Sequence, residues 1–326
     1  MRKFSFARPT LTRPSFQGAL PFGRSCFESP PLPRRERGLG GEGRCKRSAL
    51  PRYAGLQVAV QAQQAVTVRD VRGADELRAC QAVQRRAWGI TEDGYVIPVA
   101  TMAGAQRVGG LVLGAFDADD SLVAFSFSFL GRLRGELVLY SQLTGVDPDH
   151  QSTGIGRLLK HEQRKRAREM GLQSVVWAFD PLQASNAAFN LHVLGATSRM
   201  YEVNMYGSRT DALNAGLATD RLVAEWPTAA DEHREDDTWR DAPDVIETMQ
   251  RGSLRAPVRM REAAATRVKV EIPADLKAVK RVPELAQAWQ QAVRQAFRDA
   301  FSAGYVAVGF CRADPQRPRY LVERRI

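Results

Sequence analysis

One stretch constrains this chain more than any other: Leu143-Thr-Gly-Val-Asp-Pro-Asp-His-Gln151-Ser-Thr-Gly154-Ile-Gly156-Arg157-Leu-Leu-Lys160. Glu136 to Leu143 reads as a strand leading into it. Behind it, Ile155, Leu158, Leu159, Ala167 and Met170 fall at helical spacing. Asp147-Pro148-Asp149 supplies turn chemistry between the two. The order is strand, short loop, small residues, helix N-terminus. Such a junction gathers free backbone N–H groups and the positive end of a helix dipole, which suits a pyrophosphate. Gly154 and Gly156 carry no Cβ, so a ligand can approach the main chain closely.

Two common phosphate motifs do not fit. A P-loop places Gly-Lys-Ser/Thr at the helix start, whereas Gly156 is followed by Arg157-Leu158; a dinucleotide fingerprint wants a third glycine where Leu159 stands. A glycine-softened turn with no ligand is the plain structural alternative. The fuller pattern, Gln151-x-x-Gly154-x-Gly156 on a strand–loop–helix, resembles the acyl-CoA loop of the GNAT superfamily of N-acyltransferases, Arg/Gln-x-x-Gly-x-Gly/Ala.

The rest of the chain fits around that junction. Val66–Arg72 alternates as a half-buried strand. Ala74–Trp88 is a helix on Leu77, Cys80, Val83 and Ala87, and Ile90–Gly94 a polar loop. Strands follow at Gly109–Ala115, Ser121–Leu130 and Leu137–Val146. After the central helix come a strand (Ser174–Phe179), a helix (Ser185–Leu194) stopped by Gly195, and a strand (Ser198–Tyr206). This β-α-β-β-β-α-β-α-β order resembles the GNAT core across residues 66–207. It implies an α/β (α+β) fold: a mixed, mostly antiparallel central sheet flanked by helices, with a small C-terminal α/β extension. The expected layout is a basic leader (1–65), an acyl-CoA-binding core (66–209), a connection with an acidic loop (210–266) and a C-terminal module (267–326). Asp220–Trp226 reads as one further strand within the connection. The module is expected to shape the acceptor pocket or a homodimer interface, leaving a chain ended near Gly207 able to bind CoA if it stays folded.

A second family motif, Asn-x-x-Ala-x-x-Leu-Tyr-x-x-Leu-Gly-Phe, is echoed in Asn186-Ala-Ala-Phe-Asn-Leu-His-Val-Leu194-Gly195-Ala196. It departs where Leu191 replaces the tyrosine that protonates the departing thiolate in many members. Trp177-x-Phe-Asp-Pro181, Tyr206-Gly207 and Asp220-Arg-Leu-x-x-Glu-Trp226 also resemble a branch some of whose members accompany N-acylamino-acid racemases and use succinyl-CoA.

The resemblance implies site roles. Main-chain groups of Leu143, Thr144, Gly145 and Val146 would pair with the thioester and pantetheine, and preorganised backbone would stabilise the oxyanion. The amides of Gln151, Ser152, Thr153, Gly154, Ile155, Gly156 and Arg157 would take the pyrophosphate, and Asn186 the pantetheine arm. For the acid and base the candidates are His192, Asp180 and Tyr206, with surface, turn-forming and packing roles as their structural alternatives. The basic run Arg157, Lys160, Arg164, Lys165, Arg166 and Arg168 would meet the 3′-phosphate or simply face water.

Composition enters through charge. The chain of 326 residues carries a net +11, but residues 1–52 alone hold twelve Lys and Arg against three Glu. The body is therefore near neutral, and nucleic acid is not an expected partner. Residues 1–65 are rich in Pro, Arg and Gly, without periodicity, and read as a leader translated from upstream DNA. No apolar run approaches the roughly 20 residues of a membrane helix. Cys26, Cys45, Cys80 and Cys311 show no metal-ligand spacing, which suggests a cytoplasmic setting and no metal. The expected function is transfer from acetyl-CoA, or another acyl-CoA, to the amine of a small molecule. A succinyl-CoA-dependent N-succinyltransferase of amino acids and a non-catalytic CoA-binding regulator are the alternatives.

Overall fold

The Phe125-Ser-Phe-Ser-Phe129 run dictates the middle of the molecule, because alternate side chains of a strand face opposite ways. In the computed structural model, which describes residues 66–207, 216–229 and 239–325, these phenylalanines pack under one helical layer. The intervening serines face another helix on the opposite side. The antiparallel start of the sheet is β1 (Thr67–Asp70), β2 (Leu111–Phe116), β3 (Leu122–Leu133) and β4 (Glu136–Val146). Helices α1 (Gly73–Trp88) and α2 (Val99–Arg107) cover its Phe125 and Phe127 face. Gly145 on β4 is required by this packing: a Cβ there would lie 2.9 Å from the Trp88 ring.

Helix α3 (Ile155–Glu169) crosses the other face and leads to β5 (Ser174–Phe179). Next come α4 (Ala184–Ala187), which widens into a π-helical turn over Ala188–Val193, and β6 (Thr197–Glu202). The strand read in the connection is real: β7 (Arg221–Pro227) inserts between β5 and β6. The hairpin β8 (Ile246–Arg251) and β9 (Leu254–Met260) forms a separate two-stranded sheet. The C-terminal strands β10 (Arg267–Glu271), β11 (Tyr305–Cys311) and β12 (Arg319–Arg324) do not build a sheet of their own. They extend the first one, giving ten strands in the order β1-β2-β3-β4-β5-β7-β6-β11-β12-β10. Helices α5 (Leu276–Lys280) and α6 (Pro283–Ser302) pack there, α6 burying Trp289, Val293 and Phe297.

Several sequence expectations need correction. Helix α2 and the β8–β9 hairpin went unread. The strand expected to run through Tyr206 ends at Glu202, and Tyr206 lies in the turn beyond it. The stretch 210–266, expected as a connection, carries three strands among its described residues. The leader 1–65 and most of the acidic loop, residues 230–238, lie outside the described residues.

Candidate active site

Every named strand pair in the large sheet is antiparallel except β4 and β5. These two are parallel and pair at only two positions, Leu139↔Val175 and Tyr140↔Val176. Beyond Tyr140, β4 continues six residues to Val146 without meeting β5. A bulge contributes to the divergence: β3 pairs Phe127↔Leu143 and Ser128↔Ser141, so Gln142 has no counterpart. The result is a V-shaped cleft in which the β5-facing edge of β4, paired with β3 on its other side, has no partner strand beyond Tyr140. Leu143, Thr144 and Val146 on that stretch are half-buried and Gly145 is buried.

The loop at the open end of the cleft is held by its own chemistry. Asp147 Oδ1 accepts from the Asp149 amide at 3.3 Å, and Asp147 Oδ2 accepts from Arg86 Nε at 2.5 Å. Gln151 Nε2 donates to the Val146 carbonyl at 3.3 Å, and Thr153 Oγ1 to the His150 carbonyl at 2.6 Å. Ser152 and Gly154 both have positive φ, 65° and 90°, and Gly154 N-caps α3 with no side-chain bond. The amides of Ser152, Gly154, Ile155 and Gly156 then find no protein acceptor among the described residues. Unpaired donors of this kind at a helix N-terminus form an anion site. Gln151, Ser152, Thr153, Gly154 and Arg157 are exposed there, Gly156 is half-buried, and Ile155 anchors the turn in the core.

The remaining sequence-derived residues divide. Asp180 follows the last residue of β5, half-buried, its Oδ1 accepting from the Leu182 amide at 2.9 Å. Burial raises its carboxyl above the usual range, while that amide and Arg221 oppose the rise. Tyr206 is exposed, yet it reaches the Tyr140 hydroxyl on β4 and stacks under Arg221, whose guanidinium lies 5.1 Å from its ring centre. Burial, with Tyr206 beside it, raises the Tyr140 phenol. Asp180, Tyr140, Tyr206 and Arg221 thus gather near the point where β4 and β5 part. His192 is exposed on the π-helical turn, and Asn186 is exposed on α4. One turn after Asn186, Asn190 is buried, and its Oδ1 accepts from Trp177 Nε1 at 3.2 Å.

Sequence reasoning missed a polar row on the α3 side of the cleft. Gln163 Nε2 donates to Ser128 Oγ at 2.7 Å and to Ser141 Oγ at 3.1 Å. Lys160, read as part of a solvated basic face, is 5% exposed. Its Nζ donates to Ser141 Oγ at 2.9 Å and lies 4.0 Å from the centre of the Trp177 ring. Its three-residue offset from Gln163, itself four residues before Ala167, was the available signal. On α3 both share the face of Ile155, Leu159 and Ala167.

Residues 54–178 match the family model described as an acetyltransferase (GNAT) domain. These residues are a GNAT acetyltransferase domain. The match includes β4, the Gln151–Arg157 loop and β5 but for its last residue, and ends before Asp180, Leu191 and Tyr206. The match points to acyl-CoA-dependent N-acyltransfer as the chemistry of this domain. Three solved structures are similar over about half of the chain. The ribosomal-protein-S18-alanine N-acetyltransferase from Escherichia coli is 18% identical, with 53% of this chain and 100% of that one covered at a TM-score of 0.41. The yncA protein from Salmonella typhimurium, solved with its cofactor acetyl-CoA, is 20% identical, with 53% and 98% covered at 0.42. A GNAT superfamily phosphinothricin acetyltransferase from Sinorhizobium meliloti, in complex with acetyl-CoA, is 18% identical, with 53% and 97% covered at 0.40. No curated protein matches the chain. Among the described residues, no helix is long and apolar enough to cross a membrane.

Proposed function

We propose that this GNAT enzyme transfers an acyl group, acetyl foremost, from acyl-CoA to the amine of a small molecule by direct attack within a ternary complex. The observation that carries the reading is the set of four acceptor-less amides at the start of α3, beside a cleft whose β4 wall is unpaired on the side facing β5. In this reading the pyrophosphate takes those amides. The thioester lies along Leu143 to Val146, where backbone N–H groups stabilise the oxyanion.

The acceptor enters beside Asp180 and Tyr206. A carboxylate there attracts the ammonium and accepts its proton directly or through water. Its raised pKa brings it closer to neutrality, where a general base works best. Arg221 and Tyr140 complete that wall. Calorimetry with CoA tests the binding half: the wild-type chain binds CoA, and failure to bind overturns the reading. A screen of small amines with acetyl-CoA and succinyl-CoA, read by release of free CoA thiol, tests the transfer half.

A further inference from the structure

Lys160 stands apart from the buried carboxylates, each of which has an arginine. Asp147 has Arg86, Asp220 has Arg294, and Glu271 has Arg255 and Arg317. Lys160 has no carboxylate partner among the described residues; its nitrogen meets only the Ser141 hydroxyl and the face of Trp177. The location matters more than the burial. The last β4–β5 pair is Tyr140↔Val176, and Ser141 and Trp177 are the next residues on the two strands. The Lys160 amine therefore sits where the strands begin to part, on the α3 side of the sheet. Leu191, which cannot donate a proton, belongs to the same buried cluster as Trp177.

We propose that Lys160 supplies the proton taken by the departing CoA sulfur, from α3 rather than from the position Leu191 occupies. The proposal rests on the acyl-CoA reading above. In the step, the neutral acceptor nitrogen attacks the thioester carbonyl carbon, the C–N bond forms and the C–S bond breaks with its electron pair on sulfur. The sulfur takes a proton from the Lys160 ammonium. The acylated nitrogen sheds one proton, which returns to Lys160 through the Ser141 hydroxyl or water. An amide and a CoA thiol result, with no oxidant or reductant.

The chemistry of the position suits the task. Burial alone lowers the Lys160 ammonium to about 7, and no neighbouring charge contributes. A free thiol has a pKa of about 8.5, and an ammonium beside it draws that value down towards lysine's own, so the proton passes between two closely matched groups. The groups facing Lys160 from β4 and β5, Ser141 and Trp177, are uncharged, as is Ser128 of β3 behind Gln163. On α3 itself, Arg164 is turned away over Trp226 and bonds the Pro227 carbonyl, and Arg157 reaches His161.

The test uses the full chain with CoA as the probe and needs no acceptor. The thiolate absorbance of bound CoA is followed against pH in the wild type and in Lys160→Met. The bound thiol should titrate below 8.5 in the wild type, and higher by about one unit or more in the variant, a tenfold loss of thiolate at fixed pH. CoA affinity should change little, since the phosphate loop is untouched. A wild-type bound thiol that titrates at or above 8.5 overturns the proposal even if the variant fails to fold. So does identical titration in the two folded proteins, in either case with CoA binding intact. Failure of the wild type to bind CoA overturns the acyl-CoA reading and this proposal together.

Discussion

At residue scale the two loop glycines do different work. Gly154 needs its φ of 90°, so any side chain there strains the loop whatever the ligand. Gly156 has ordinary backbone, and a Cβ would meet only Val146 Cγ2 at 3.7 Å. Gly156→Val is therefore the cleaner probe. It should fold with a near-normal melting temperature and bind CoA at least about tenfold more weakly, roughly 1.4 kcal/mol. Unchanged affinity by calorimetry would remove the phosphate from this loop. Lys160 carries a second residue-scale expectation. Its folded pKa of about 7 lies below the 10.5 of a free lysine, so between those values the folded state binds fewer protons than the unfolded chain. Stability then rises as pH climbs from about 7 towards 10.5, and the full penalty applies below 7. Lys160→Met removes a cost on the order of 3–5 kcal/mol at pH 7, less the lost bond to Ser141. Urea unfolding should show a gain at pH 7 that shrinks by pH 10; an equal gain at both would mean the amine is not depressed. The loop was legible because glycine spacing is written in the sequence. Lys160 was not, since a lysine three residues after Arg157 and four before Arg164 looks solvated until the helix is set on the sheet.

At the scale of elements, the acceptor-side turn depends on a helix more than 70 residues away. Asp220, 2% exposed, accepts from Tyr201 at 2.8 Å, from the Asn204 amide at 3.0 Å and from Arg294 of α6 at 2.8 and 3.0 Å. Thr219 pins the same turn by accepting from the Tyr206 amide at 2.9 Å. Arg294→Met leaves the buried Asp220 carboxylate without its counter-charge and should cost about 3 kcal/mol. It should also raise KM for whichever amine turns over, because the turn that carries Tyr206 loosens, while CoA affinity holds. A variant that loses CoA affinity to the same degree would place Arg294 in the cofactor site instead. Elements with strong apolar periodicity, such as α1, α3 and α6, were readable. Helix α2 was not: among its nine residues only Met102 is fully buried, and Thr101 and Gly104 are weak helix formers. The β8–β9 hairpin buries only Ile246 and Ala256, while its Met249 and Val258 are exposed, so no clean alternation marks it. Polar bonds help attach it: Arg255 pairs with Glu271 at 2.8 Å, and the Arg255 carbonyl accepts from Trp289 Nε1 at 2.9 Å.

At the scale of the whole molecule, strand order was the part the sequence could not disclose, because pairing between distant segments leaves no local pattern. The sequence suggested a core that could end near Gly207. The sheet argues otherwise. β7 follows that point in the chain yet lies between β5 and β6, paired with β5 from Ser174↔Pro227 to Phe179↔Leu222. It brings Leu222, Ala224 and Trp226 into the core, each essentially unexposed. A chain cut after Gly207 loses that strand from the middle of the sheet. It opens the far edge of β5, the wall opposite β4, and uncovers Trp177, which packs edge-on to Trp226 at 6.2 Å. Burying a large side chain contributes about 1.5–3 kcal/mol, so these losses exceed the 5–15 kcal/mol margin of a typical domain once unpaired backbone is counted. The truncated chain should therefore show no cooperative thermal transition and no CoA binding, whereas the chain beginning at residue 54 and running to its end should show both. A cut at 207 that melts cooperatively and binds CoA would mean that β1 to β6 re-form a closed core without β7, and that the C-terminal half is an attachment rather than part of the same sheet.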